Sequence, residues 1–162
     1  MKERLSGREL LEIVHDWAQQ PQRWESLLRC SDTERWSGLL HCEDAYDVWL
    51  LTWPVQTGTQ LHDHGDSAGA FEVVSGQLEE LYLRRRLRRR QLRAGAQVSF
   101  PAGAVHDVLN SGSGQDDRPA VSLHAYSPPL TSMNFFANVD GHLSTVRSEP
   151  VIAPPLLVSC AQ

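Results

Sequence analysis

The hydrophobic positions in the N-terminal part of the chain recur at helical intervals. The clearest set is Leu10, Leu11, Val14, Trp17 and Ala18. Ser6 followed by Glu9 has the spacing of a capping box, which marks the start of a helix. Pro21 suits the first turn of a second helix, in which Trp24 would face inward. The pattern therefore predicts a mainly helical segment over residues 1–40.

After residue 45 the hydrophobic positions form short runs separated by glycine and proline. These runs cover residues 46–53, 69–76, 78–85, 96–103, 104–110 and 119–126. Many short strands separated by turn residues are typical of a sandwich or a barrel, so we predict an all-β core over residues 45–130. Residues 131–162 are predicted to add C-terminal strands and a proline-rich strap along the surface. A chain of 162 residues is long enough for one domain, and we predict a single domain.

The composition is that of a globular protein, with 41% hydrophobic and 22% charged residues. Because no apolar run approaches the ~20 residues that span a bilayer, and the N-terminus lacks the apolar core of a signal peptide, we expect no membrane partner and a cytoplasmic location. The net charge of -5 argues against a general affinity for nucleic acid. Cys30, Cys42 and Cys160 form no CxxC pair, so neither a disulfide framework nor a cysteine zinc site is predicted. The sequence carries no signal for an oligomeric state.

A basic run interrupts this acidic chain at residues 84–93, where seven of ten positions are arginine. Such a run could bind nucleic acid or polyphosphate, and that binding would weaken with salt. The run falls between two strand-like segments, however. We therefore favour a solvated hairpin, with Leu87 and Leu92 facing inward.

Three histidines carry the candidate chemistry. His62 and His64 are two positions apart, so on an extended strand both side chains project from the same face. Two surface or turn histidines are the alternative for this pair alone. A third histidine, His106, follows Pro101 and Gly103 in the segment 95-GAQVSFPAGAVHDVLN-110. The proline and the glycine are turn formers that would place His106 near the start of its strand.

The two histidine segments together resemble the cupin superfamily. The second cupin motif has the spacing G-x5-P-x-G-x2-H-x3-N, which matches Gly95, Pro101, Gly103, His106 and Asn110. The first motif ends HxH-x4-E-x6-G, which matches His62, His64 and Gly76, with Gly69 where the acidic residue would be. This resemblance implies a jelly-roll β-barrel, in which the three imidazoles would converge on one cation. Three neutral imidazoles without a carboxylate suit Fe(II) beside an anionic substrate, although Zn, Ni, Cu or Mn could also bind.

Within the cupins, the segments 62-HDHGDSAG-69 and 121-VSLHAYSPP-129 resemble the cysteine dioxygenase family. The resemblance implies that the iron ligands are His62, His64 and His106. It implies that Ser122, His124 and Tyr126 form a hydrogen-bonded set beside the metal, with the Tyr126 hydroxyl donating to oxygen or to the substrate carboxylate. Their spacing places all three on one face of a strand. Without the family, the same set could be a buried polar network that only satisfies itself.

Two positions depart from the family pattern. Animal members carry a cysteine at the position of Gly69, which crosslinks to the tyrosine corresponding to Tyr126, and Gly69 has no sulfur for this bond. The family's substrate-binding arginine is matched only by Arg35, 27 residues before His62 and without the usual tyrosine. Arg35 would suit a substrate carboxylate, and the alternative is a surface arginine at a helix end. Trp53 is predicted to be a packing residue.

The resemblance implies an Fe(II)-dependent thiol dioxygenase that oxidises L-cysteine with O2 to cysteine sulfinic acid. Its partners would then be a small thiol and O2. A related thiol such as 3-mercaptopropionate is an alternative substrate. A cupin isomerase acting on a sugar or keto acid, or a sensor that binds without turnover, is an alternative from another class.

Overall fold

The computed structural model describes residues 4–112 and 118–157. The regular elements are one α-helix, α1 (Gly7–Ala18), and the strands β1 (Trp36–Cys42), β2 (Asp47–Trp53), β3 (Thr57–Gly58), β4 (His62–Asp63), β5 (Ala68–Ser75), β6 (Gln77–Leu83), β7 (Leu87–Arg93), β8 (Gln97–Phe100), β9 (His106–Asn110), β10 (Ala120–Ser127), β11 (Ser132–Val139) and β12 (His142–Pro150). The predicted all-β architecture with a short N-terminal helix is confirmed. Within the described ranges, no helix has the length and hydropathy needed to cross a membrane.

The strands form two antiparallel sheets. The first has the order β1-β2-β10-β5-β8, and the second has the order β12-β11-β4-β9-β6-β7, with β3 paired to β9. Side chains from both sheets share one core cluster, in which Trp53 and Phe71 from the first sheet meet Leu78 and Val108 from the second. His62 lies on β4 and His106 on β9, which are neighbours at the centre of the second sheet, and His64 directly follows β4.

Helix α1 covers the outer face of the first sheet. It begins as the sequence predicts, because the Ser6 backbone N–H donates to Glu9 Oε2 at 2.7 Å and the Glu9 N–H donates to Ser6 Oγ at 3.3 Å. Leu10 and Val14 are fully buried in a second cluster that includes Leu123 of β10. Burying each of these apolar side chains contributes about 2 kcal/mol.

The predicted helical segment over residues 1–40 is wrong beyond α1. Two 3₁₀ turns, Pro21–Arg23 and Glu25–Leu27, replace the second helix. Trp24 lies between them at φ -142°, outside the helical region, and its buried indole donates to the Trp17 carbonyl at 2.9 Å. Trp36–Cys42 is a strand, which pairs with β2 along its length. Tertiary pairing has overridden a local pattern that was ambiguous between helix and strand.

The basic run forms part of a hairpin, as its preferred interpretation predicts. Residues 77–83 and 87–93 pair as β6 and β7. Leu92 is buried and Leu87 is half-buried, while most of the arginines are exposed. The run therefore supplies a strand to the second sheet.

The C-terminal segment continues from β12 along the surface. The Val151 N–H donates to the Thr131 carbonyl, and the Leu157 N–H donates to the Leu39 carbonyl, both at 2.8 Å. These contacts fit the predicted strap over residues 151–157. Residues 158–162 of the predicted strap, with Cys160, lie outside the described residues.

Candidate metal centre

Strand pairing brings the three predicted ligands together. His62 on β4 is the direct antiparallel partner of His106, the first residue of β9. His64 follows β4 immediately, before a turn at Gly65, whose φ of +57° favours glycine. Asp63 points away from the two histidines and holds that turn, because its Oδ1 accepts from the Gly65 N–H at 3.0 Å. Two short strands and one turn therefore fix the backbone of all three histidines.

The three imidazoles form a compact and buried cluster. His62, His64 and His106 are each less than 5% exposed. One nitrogen from each ring lies within 4.8 Å of the others, and the Nε2 atoms of His62 and His64 are 3.2 Å apart. Metal–nitrogen bonds of about 2.1 Å place donor atoms roughly 3 to 4 Å apart, so small side-chain movements suffice to bind one cation.

Hydrogen bonds set the tautomers of two of these rings. His62 Nδ1 lies 2.8 Å from the Gln60 carbonyl oxygen, which can only accept, so Nδ1 carries the proton. His106 Nδ1 lies 2.9 Å from the Glu80 carboxylate and donates in the same way. In each neutral ring the Nε2 lone pair is then available to a cation. The donor set therefore fits a divalent metal with three neutral nitrogen ligands.

Burial keeps His62 and His64 neutral. Burial and the neighbouring His106 lower the pKa of His62 to about 3, from an ordinary 6.5. Burial and the other imidazoles likewise hold the pKa of His64 well below its ordinary value. At neutral pH a metal therefore meets deprotonated donors and does not have to displace protons from His62 and His64.

Glu80 supports this cluster from β6, and sequence analysis did not identify it. Burial alone would raise the pKa of Glu80, but hydrogen bonds and charge interactions with His106 and Arg90 outweigh it and hold the pKa below its ordinary value. Glu80 shares a strand face with the buried Leu78, so an acidic residue on the core face of a strand was the available signal. The identity of its partner depends on how β6 pairs with β9.

The serine, histidine and tyrosine of β10 form a chain of hydrogen bonds that begins at Trp53. The Trp53 indole N–H donates to Ser122 Oγ at 2.8 Å, and Ser122 Oγ lies 2.8 Å from His124 Nε2. His124 Nδ1 lies 3.2 Å from the Tyr126 hydroxyl oxygen. Because the indole can only donate, Ser122 Oγ accepts from it, and the Ser122 hydroxyl proton is available for donation to His124 Nε2.

The direction of these hydrogen bonds decides whether the Tyr126 hydroxyl can donate into the cavity. In the tautomer that accepts from Ser122 at Nε2, the neutral His124 ring donates from Nδ1 to the Tyr126 oxygen, which leaves the phenol proton for a group in the cavity. Burial raises the pKa of Tyr126 far above its ordinary value, so the phenol stays protonated. Trp53 packs in the core as predicted, and its indole N–H is also the first donor in this series of hydrogen bonds.

A cavity of about 260 Å³ joins these groups. It is lined by the three histidines and Tyr126, and its remaining wall includes the apolar residues Leu130, Met133, Phe135 and Val151. This size suits a ligand no larger than an amino acid.

Arg35 reaches this cavity from the segment that precedes β1. Its side chain is exposed over much of its surface, but the guanidinium lies 5.1 Å from the centroid of the Trp53 ring and lines the cavity. Partial burial lowers the pKa of Arg35, and the nearby Asp107 opposes that shift. Arg35 precedes β1 and does not end a helix, and its guanidinium places a cation on one wall of the cavity.

Gly69 lies beside Tyr126, and an aromatic ring fills the space in front of it. Gly69 of β5 pairs with Tyr126 of β10, as a crosslinking position would. A Cβ atom at Gly69 would collide with the edge of the Phe100 ring and approach the Tyr126 ring to 3.0 Å. Phe100 also stacks on His64, with ring centroids 5.0 Å apart. Phe100 thus occupies the volume that a side chain at position 69 would need.

Replacing Gly69 with cysteine is expected to destabilise the protein by about 1–3 kcal/mol, because the new side chain overpacks against Phe100. Thermal unfolding of Gly69→Cys, Phe100→Ala and the double variant measures this effect. The double variant is expected to be more stable than the sum of the two single changes predicts, because the smaller residue makes room. Additive effects would show that Phe100 does not fill this space.

Acidification is expected to destabilise the metal-free protein. The buried His124, like His62, has a pKa lowered by burial to about 3, whereas an unfolded chain binds these protons near pH 6.5. The stability that the neutral rings contribute is fully present above about pH 6.5 and is lost as pH falls toward 3. Asp47, whose pKa is raised by burial from 3.8 to about 6, opposes this loss because the folded protein takes up its proton first.

Urea unfolding of metal-free protein between about pH 7 and 5 checks this expectation, with a loss on the order of 1–2 kcal/mol per pH unit. Asp47→Asn is the informative variant, because without the Asp47 carboxyl the free energy of unfolding is expected to fall more steeply as the pH is lowered. A stability that stays constant or rises on acidification would contradict the assignment of neutral buried histidines.

The fold consists of two antiparallel sheets that enclose a buried group of three histidines. This arrangement defines a cupin with a candidate metal site. Comparisons with solved structures agree with this fold. A cupin superfamily protein from Desulfitobacterium hafniense is 11% identical, with a TM-score of 0.54 over 65% of this chain and 87% of its own. A protein with a double-stranded β-helix domain from Klebsiella pneumoniae is 16% identical, with a TM-score of 0.54 over 76% of this chain and 93% of its own. These similarities establish the fold alone.

Sequence comparisons narrow the class to one family. The profile of the family Cysteine dioxygenase type I matches residues 2–139. Cysteine dioxygenase type 1 of Danio rerio is 27% identical over 152 residues, which cover 88% of this chain and 76% of that protein. The protein of the same name from Rattus norvegicus is 30% identical over 115 residues, which cover 62% of this chain and 54% of that protein.

The chain therefore belongs to the cysteine dioxygenase type I family. The predicted resemblance, the cupin fold and the class of enzyme, an oxidoreductase of the dioxygenase type, are confirmed by these matches.

Proposed function

We propose that this protein is an Fe(II)-dependent thiol dioxygenase that oxidises L-cysteine with O2 to cysteine sulfinic acid. The observation that carries the proposal is the joint placement of three imidazoles, a guanidinium and a phenol around one small cavity. Both oxygen atoms of O2 pass to the sulfur, so the reaction needs no external reductant. When bound by His62, His64 and His106, Fe(II) would supply open coordination positions for a thiolate and for O2.

The charge of the site supports an anionic substrate. Three neutral imidazoles leave the charge of a divalent cation uncompensated, and Glu80, the carboxylate nearest to His106, is occupied by His106 and Arg90. Arg35 adds a second cation on the cavity wall, and the carboxylate of Glu149, which also lines the cavity, is paired with Arg147 Nε at 2.6 Å. A thiolate at one end and a carboxylate at the other match this distribution, and the planar guanidinium can bind two carboxylate oxygens at once.

The remaining residues would position the reactants and exclude water. The Tyr126 hydroxyl can donate to oxygen or to the substrate carboxylate, and His124 and Ser122 hold its orientation. Met133 and Phe135 from β11 close the cavity with apolar surface. A site that holds sulfur and oxygen adjacent in a dry cavity gains rate from proximity alone.

An oxygen electrode trace with iron-loaded protein and L-cysteine tests the proposal. O2 uptake equal to the thiol lost, with cysteine sulfinic acid as product, is the expected result. Zinc-loaded protein is the matched control, because zinc occupies such ligands without redox chemistry. Iron-loaded protein that binds cysteine but consumes no O2 would refute the dioxygenase reaction.

A second measurement addresses the substrate. The kcat/KM for L-cysteine is expected to exceed that for 3-mercaptopropionate, which has the thiol and carboxylate but no amine. The reverse order would indicate 3-mercaptopropionate as the substrate and would leave the proposed dioxygenase reaction unchanged. Turnover of a sugar or keto acid without O2 would point instead to a cupin isomerase.

A further inference from the structure

The basic strand β7 contacts the candidate metal centre through one buried carboxylate. Glu80 is 2% exposed and uses its two oxygens for different partners. Its Oε1 accepts from His106 Nδ1 at 2.9 Å, and its Oε2 accepts from Arg90 Nε at 2.6 Å. An arginine at the surface and an imidazole in the cavity are thus joined by a single side chain.

We propose that Glu80 is a positioning residue for the metal centre and that Arg90 holds its carboxylate in place, so that β7 sets the affinity of the site for a divalent cation. This inference rests on the three-histidine metal site of the proposed function. The carboxylate fixes the Nδ1–H tautomer of His106 and the direction of its Nε2 lone pair. It also makes the imidazole a stronger donor, because an anion faces its N–H.

The register of the hairpin explains why Arg90, among the arginines of the run, serves this role, because Arg90 is the direct partner of Glu80 on β6. Successive residues of a strand point to opposite faces, so Arg89 and Arg90 form ion pairs with different glutamates. Arg89 Nη1 pairs with Glu79 at 3.1 Å, away from His106. The Arg90 guanidinium also lies 4.5 Å from the centroid of the Tyr82 ring, which restricts its orientation.

Arg89 is therefore a matched control for Arg90. Both arginines lie on the same strand, and each pairs with a glutamate of β6 that is less than 10% exposed. Replacing either one by glutamine removes the same charge and one ion pair. A purely structural role for these pairs would affect the two variants alike, and it would change thermal stability without changing metal affinity.

The experiment is a titration of metal-free protein with Co(II), followed by visible absorbance. Glu80→Gln is expected to raise the Co(II) dissociation constant by about 10- to 100-fold and to shift the absorption bands, because His106 loses its anionic partner. Arg90→Gln is expected to raise it by about 10-fold, Arg90→Lys by less, and Arg89→Gln by less than about 2-fold. Arg90 is partly exposed, so its variants remain informative if Glu80→Gln fails to fold.

The possible outcomes test the role of Glu80, the role of Arg90 and the metal site separately. Folded Glu80→Gln protein that binds Co(II) with the affinity and spectrum of the original protein would overturn the role of Glu80. Equal affinities for Arg90→Gln and Arg89→Gln would overturn the role of Arg90. An original protein that binds no Co(II) would refute the metal site itself, which is the proposed function and not this inference.

Discussion

Replacing His62 with alanine is expected to abolish metal binding and thiol oxidation together. The three ring centroids lie 4.7, 4.8 and 5.2 Å apart, so removing His62 leaves only two neighbouring imidazoles, and a cation loses one of its three protein ligands. The loss of affinity will exceed the about 10- to 100-fold that follows the loss of an outer-shell partner. Elemental analysis after iron loading and oxygen uptake with cysteine measure both effects.

The matched control for this variant is His142→Ala. His142 begins β12, is exposed and is not among the residues that line the cavity. It is expected to retain about one metal ion per chain and full activity. His62→Ala protein that is folded and still binds iron at that level would show that the ion lies elsewhere, and the proposed site would have to be abandoned.

The histidine cluster was predictable because short-range spacing encodes most of its geometry. His62 and His64 share a face of any extended segment, and Gly103, with a φ of +73°, provides the turn that the motif predicts before His106. What remained was the pairing of β4 with β9, and the cupin resemblance supplied it. The spacing of the residues on β10 likewise placed Ser122 and Tyr126 on one face.

The outer parts of the site depend on sheet pairing, which local sequence does not encode. Glu80 and His106 are 26 positions apart, and they meet only because β6 and β9 are neighbours. Trp53 reaches Ser122 because β2 lies beside β10. The helical prediction for residues 1–40 failed for the same reason, since the strand Trp36–Cys42 forms by pairing with β2 and its short apolar run has no distinctive period.

This dependence bears directly on Arg35, because β1 begins one residue after it. The pairing of Trp36 with Thr52 places the start of β1 beside the end of β2, which carries Trp53. The guanidinium can therefore extend over the Trp53 ring toward the cavity, although no motif surrounds it. Its distance of 27 residues from His62 in the sequence carries little information compared with this pairing.

Replacing Arg35 with alanine is expected to lower kcat/KM for L-cysteine by about 30- to 150-fold. The loss corresponds to about 2–3 kcal/mol, the usual effect of leaving a substrate carboxylate without its charged partner, and the partial exposure of Arg35 favours the lower end. Arg35→Lys is expected to recover part of the loss, because a lysine keeps the charge without the planar fork. Steady-state oxygen uptake at several cysteine concentrations gives these values.

Cysteamine separates carboxylate recognition from a general defect, since it has the thiol and the amine of cysteine but no carboxylate. Arg35→Ala is expected to leave the low kcat/KM for cysteamine almost unchanged, and the metal content of the variant is expected to equal that of the original protein. Arg29→Ala is the matched control, because Arg29 is exposed and does not line the cavity. If Arg35→Ala and Arg29→Ala had the same kcat/KM for cysteine, Arg35 would not be the carboxylate partner. The substrate would then have to be held by Tyr126 and the metal alone.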